Sequence, residues 1–244
     1  MNRALERQFR FLCCLRQPLP GALFRELFEK GYLPSDAPKA RIRGVSSVPL
    51  RFTRDLAQRV ARNESVAIAE IVGQDFTFET GVVSQASFHF VQWSFDSPRD
   101  WPPKLVEIFC ADGLINAAYA FDGEDVFWQS ETAIATYEAF QHPLGDAQIV
   151  GDEVFGSKVD ISRNYGRREL YSDFWLIAAS QVWFGRQAIT RIGEEGLGSL
   201  AKVGSLRWLS PELVTLNLFP WGEDPRNYRD VQALFWRCIE TDLR

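Results

Sequence analysis

The sequence predicts an α+β fold, a single domain with a largely antiparallel sheet, flanking helices and a buried central helix. Three observations lead there. Strand-like runs stand between amphipathic helices without the regular alternation that builds a parallel sheet. Pairs of such runs are joined by short turn-forming segments. The 244 residues show no internal repeat, low-complexity stretch or long linker, and a chain of this size can bury roughly 70% of its unfolded surface around one core.

Residues 1–62 read as helical and as a possible small subdomain. Leu5, Phe9, Leu12 and Cys13 follow the helical period. So do Leu23, Phe24, Leu27 and Phe28, with Gly31 placed to end that helix. Residues 35–49 hold two prolines and no period, which predicts a surface connection. Thr53 is a suitable cap for a short helix carrying Leu56 and Val60 and ending near Asn63. From residue 65 the period changes to two. Residues 65–72 and 76–80 predict strands joined at Gly73-Gln74-Asp75, and residues 86–95 predict a central strand, because Phe88 and Phe90 share one face while Val91, Trp93 and Phe95 share the other.

Pro102 and Pro103 suit the first turn of a helix with Val106, Phe109 and Cys110 on one side. Residues 117–121 and 126–128 flank Asp122-Gly123-Glu124-Asp125, which predicts a hairpin turn. A short helix over residues 131–140, capped by Ser130, follows. Residues 141–171 are loop-rich, with one strand expected near 158–161. Residues 172–185 are apolar all round the helical wheel and predict the buried central helix. Gly193, Gly196 and Gly198 suit a helix-to-strand connection. Residues 204–209 and 213–219 form a hairpin turned at Ser210-Pro211-Glu212, with Val214, Leu216 and Leu218 on one side. The last helix starts at Asp224-Pro225 and bears Val231, Leu234, Phe235 and Cys238.

Four cysteines, two of them adjacent, offer no metal-ligand spacing and read as reduced thiols of a cytoplasmic protein. Charged residues at Arg3, Glu6, Arg7 and Arg10 interrupt any signal-peptide core, and no apolar run is long enough for a membrane span. Charge is sorted along the chain. Residues 1–62 carry 13 basic and 5 acidic residues, residues 63–161 carry 3 basic and 17 acidic, and residues 162–244 carry 11 and 10. The acidic middle repels nucleic acid and anionic membrane and attracts basic partners. A solvated acidic face that serves solubility is the plain alternative.

Candidates for chemistry are few. His89 alternates with apolar residues as a sheet histidine does, and His142 has no nucleophile arranged around it. Gly193-Glu194-Glu195-Gly196-Leu197-Gly198 puts carboxylates where a phosphate loop needs backbone amides and lysine. Glu153, Lys158 and Asp160 permit a metal-assisted hydrolase with a carboxylate-lined site, without matching a motif. Of eight tryptophans, Trp101, Trp208, Trp221 and Trp236 lie near predicted element ends, where an exposed ring can anchor a partner.

The run from Ser172 through Trp183-Phe184-Gly185, the apolar strand after it, and Phe219-Pro220-Trp221-Gly222-Glu223-Asp224-Pro225 before the last helix resemble the C-terminal half of bacterial polymorphic-toxin immunity proteins. The resemblance is to the immunity protein 52 family, whose Trp-x-Gly motif corresponds to Trp183-Phe184-Gly185, and it covers roughly residues 155–244. It implies a protein without catalytic residues, metal or cofactor, encoded beside an antibacterial toxin with a restriction-endonuclease-like domain. Such toxins are used in interbacterial competition, including type VI secretion, and the immunity protein neutralises its toxin by binding. Trp183 and Gly185 carry over as structural residues. The charge pattern fits this implication, because a nuclease has a basic cleft that carboxylates can fill in place of phosphates. The expected toxin-facing residues are Asp122, Glu124, Asp125, Glu131, Asp146, Asp152 and Glu153.

Overall fold

A strand of seven residues with no solvent-facing side stands at the centre of the molecule. In this computed structural model, which describes residues 8–46, 48–86, 88–144, 148–152, 156–171 and 173–242, strand β1 (Phe9–Leu15) turns Phe9, Phe11, Cys13 and Leu15 to one core and Leu12 and Cys14 to another. Where a helix was expected through Phe9, Leu12 and Cys13, the described residues from Phe9 on form a strand; Leu5 lies outside the described residues. A strand buried on both faces loses the alternation that identifies strands, and its apolar run fits either period.

The first half continues through β2 (Leu19–Pro20), α1 (Gly21–Glu29), β3 (Ala37–Ile42), β4 (Leu50–Phe52), α2 (Arg54–Val60), β5 (Ser65–Val66), β6 (Ala69–Val72), β7 (Phe76–Val83), β8 (Phe88–Phe95) and α3 (Pro102–Ala111). Gly31 follows α1 with φ 77°, a conformation suited to glycine. The Thr53 hydroxyl accepts the Leu56 N–H at the start of α2, as expected. The connection expected over 35–49 instead contains β3, which pairs with both β6 and β4; Pro38, with no amide to donate, falls in the irregular stretch between the Ala37–Phe52 and Ala40–Leu50 pairs.

The second half holds β9 (Ile115–Asp122), α4 (Gly123–Ser130), α5 (Ile134–Phe140), β10 (Ile149–Asp152), β11 (Gly156–Val159), β12 (Arg168–Leu170), β13 (Trp175–Ile177), β14 (Gln181–Gly185), α6 (Arg186–Leu200), β15 (Ser205–Ser210), β16 (Leu213–Asn217), a 3-10 turn (Pro225–Tyr228) and α7 (Arg229–Asp242). In place of the central helix expected over 172–185, the described residues hold two short strands, β13 and β14. Val182 and Phe184 enter one core and Trp183 the other, so this segment was also apolar on both faces of a sheet. Trp183 meets Phe11 edge-on at 6.0 Å, and a Cβ on Gly185 would stand 2.2 Å from the Ile115 carbonyl oxygen. Both residues of the Trp-x-Gly motif are thus structural. Gly193 lies within α6 at φ 73°, where it kinks the helix, rather than in a helix-to-strand connection.

The main sheet is ordered β15-β16-β14-β9-β1-β8-β7-β6-β3-β4, and every pairing is antiparallel. The fold is α+β. Leu23, Phe24 and Leu27 of α1, Leu56 and Val60 of α2, and Leu105, Val106 and Phe109 of α3 pack on one face with Phe11, Phe78 and Trp93. Leu197 and Leu200 of α6 and Phe235, Trp236 and Ile239 of α7 pack on the other with Tyr119, Phe121, Phe184, Val214 and Leu216. Leu234, expected on the core side of α7, is exposed. Burial pushes the Cys13 thiol up and the Cys14 thiol to about 12, which keeps both protonated and inert. Trp236 is buried, Trp101 and Trp221 pack against other rings, and Trp208 is 52% exposed on the outermost strand β15. No helix among the described residues is long and apolar enough to cross a membrane.

Candidate functional site

Strand register brings distant acidic segments to one end of the sheet. Phe9, at the start of β1, pairs with Phe95 at the end of β8 and with Asp122 at the end of β9, while Phe76 at the start of β7 also pairs with Phe95. The turn 73–75, the loop 96–101 and the start of α4 therefore meet at that end. The segment 218–228 joins them, since the Trp221 indole donates to the Arg99 carbonyl (2.9 Å) and its ring meets Phe9 edge-on at 5.4 Å. Asp75, Asp96, Asp100, Asp122, Glu124, Asp125, Glu223 and Asp224 all lie there. Among the described residues they outnumber the neighbouring cations Arg10, Arg99, Lys104, Arg226 and Arg229. Asp75, Asp96, Asp100 and Glu223 are exposed.

Within this end lies a cleft of about 280 Å³, lined by Asp122, Glu124, Asp125, Trp128, Gln129, His142, Asp224, Pro225, Arg226 and Arg229. The tetrapeptide Asp122-Gly123-Glu124-Asp125 is a helix start, not the hairpin turn expected. The Asp122 carboxylate accepts the Glu124 and Asp125 amides, both at 3.1 Å. An Asp-Gly pair serves either purpose, and the orphan amides of the helix decide it here. Gly123 is required beside Arg10, whose side chain a Cβ would strike.

Asp125 is held by Arg229 in a two-pronged ion pair, with one contact at 2.9 Å, and Arg229 also donates to Gln232 (2.6 Å). Gly166 lies against this pair so closely that a Cβ would be 2.8 Å from each partner. The Asp125 side chain is only 12% exposed. Replacing Arg229 by Met leaves a largely desolvated carboxylate without its cation, and a loss of about 2 kcal/mol is expected in denaturant titration. A change under about 0.5 kcal/mol would show that the pair is solvated.

At the outer lip, the Asp224 carboxylate caps the following turn by accepting the Arg226 amide (3.0 Å) and also accepts the Arg226 guanidinium at 2.6–3.0 Å. That bond raises the Arg226 pKa. The inner wall is Trp128, on which His142 stacks at 3.8 Å between centroids and 3° between planes. Burial lowers the His142 pKa, so the ring is neutral at pH 7 and leaves the acidic balance of the cleft intact.

Of the residues expected to face a partner, Asp122, Glu124 and Asp125 share the cleft. Asp122 and Asp125 stand at a helix start rather than in a loop, and each also makes an internal contact, a cap and an ion pair. Glu131 lies at the far end of α4, and its carboxylate accepts the Ala133 amide (2.7 Å). The expected helix over 131–140 starts only at Ile134, and the Ser130 hydroxyl accepts the Arg168 amide instead of capping it. Asp146 and Glu153 lie outside the described residues, as does the side chain of Asp152. Sequence reasoning missed Asp75, Asp96, Asp100, Glu223 and Asp224 as members of the same surface. Their acidity was visible, but their shared location is set by strand register. His89 pairs with Leu15, at the opposite end of β1 from Phe9, so the two histidines are not brought together. Among the described residues no three His, Cys, Asp or Glu side chains form a group able to hold a metal ion.

No family model matches this chain, and no curated protein or solved structure matches it either.

Proposed function

We propose that this protein is a cytoplasmic immunity protein that binds a basic, nuclease-like antibacterial toxin and neutralises it by contact, without turnover. The observation that carries the reading is the gathering of carboxylates from separate segments of the chain at one end of the sheet. A surface of that sign speeds encounter with a cationic protein and fills a cleft built for polyanions. The partner class, an antibacterial toxin, comes from the sequence resemblance alone. Trp128 and the rings around it give this end a rigid, packed support, which limits the ordering cost of binding.

Co-expression with the product of the neighbouring gene tests the reading. Growth should be restored by this chain, and a one-to-one complex should be recovered from the rescued cells. Failure of both rescue and complex formation would remove the proposal.

A further inference from the structure

Resting on that reading, we propose that the cleft receives one arginine side chain of the basic partner, which displaces Arg226 from Asp224 and lies against the Trp128–His142 wall. The cleft itself supplies the argument. Its volume of about 280 Å³ leaves room for an inserted side chain. The protein already binds guanidinium here with its own residues. Arg229 is forked on Asp125 deep in the cleft, and Arg226 is forked on Asp224 at the lip.

The two arginines differ in how firmly they are held. Arg229 is mostly covered and shares Gln232, whereas the Arg226 side chain is 78% exposed. An exposed ion pair between residues two apart is worth little against solvent, so Arg226 acts as a removable placeholder. An incoming guanidinium would gain the planar two-pronged contact with Asp224 and proximity to Glu124, in a cleft whose inner lining is the His142 ring stacked on the buried Trp128. Lysine offers the charge but neither the fork nor the plane. The cleft therefore distinguishes arginine from lysine, as a general acidic surface would not.

The test is titration of the full chain with acetyl-Gly-Arg-Gly-amide and with its lysine and citrulline counterparts, followed by amide NMR shifts. The arginine peptide should saturate one site at a Kd on the order of 1 mM. The lysine peptide should bind at least about fivefold more weakly, and the citrulline peptide should not saturate. Arg226→Ala, at an exposed position that leaves the core untouched, should tighten the arginine peptide about threefold or more without an equal gain for lysine. Asp224→Asn combined with Glu124→Gln should weaken it at least about tenfold. Equal binding of arginine and lysine, or indifference to Asp224→Asn, overturns the inference. So does a lack of saturation by about 20 mM. If the peptides fail while the chain still rescues growth, the arginine inference alone falls. If rescue and complex formation also fail, the immunity reading falls with it.

Discussion

Phe11→Ala should lower the stability of the protein by about 3–5 kcal/mol, the range for emptying a fully packed aromatic site. Phe11 is fully buried in the central strand, with Trp93 at 5.8 Å and Trp183 at 6.0 Å between ring centroids. Those partners come from β8 and β14, on opposite sides of β1 in the sheet order, so the cavity opens where the two halves of the sheet join. Neighbours held by strand pairing cannot collapse into it without disturbing the ladder. The measurement is chemical unfolding of wild type and variant at matched slope. A loss below about 1 kcal/mol would mean that residues 9–15 do not occupy the centre of the sheet.

That strand also shows where the sequence was legible and where it was not. Segments whose local pattern admits a single reading were read correctly. The alternation of Val214, Leu216 and Leu218 marked β16, the cap at Thr53 marked α2, and the proline pair at 102–103 marked α3. Each carries a local signal that does not depend on the rest of the fold. By contrast, β1 and β14 lie between helical layers on both sides, and their continuous apolar runs resemble buried helices. The deciding fact is tertiary, because helices α1–α3 cover one face of the sheet and α6 and α7 the other.

The site was legible in composition but not in arrangement. Excess acid in residues 63–161 was evident, and Asp122, Glu124 and Asp125 were singled out from it. The ion pair that holds Asp125 comes from Arg229, 104 residues away. The lip of the cleft comes from Asp224 and Arg226, in a segment whose net charge is near zero. Local spacing carries no information about either contact. The Trp128–His142 stack was likewise hidden, since His142 had only a loop and a proline for context.

Asp96, Asp100 and Glu223 are exposed and come from two segments; Asp100 faces Lys104 at 3.9 Å and Glu223 accepts the Tyr228 hydroxyl, surface contacts whose loss costs the fold about 1 kcal/mol or less each. The triple variant Asp96→Lys, Asp100→Lys and Glu223→Lys should associate with the cationic toxin about 100-fold more slowly at low salt, within the 10–10³ range of electrostatic steering. The dissociation rate should change much less, because charges at a wet rim act mainly on encounter. Near 0.5 M salt, where the screening length is only a few ångströms, wild type and variant should associate at similar rates.

Stopped-flow association of this chain with the neighbouring-gene product, measured across ionic strength, tests the central claim most directly. A wild-type rate that falls steeply with salt, and a triple variant that is slow and nearly flat, is the predicted result. Equal rates for the two proteins at every salt concentration would contradict an acidic end that captures a basic partner.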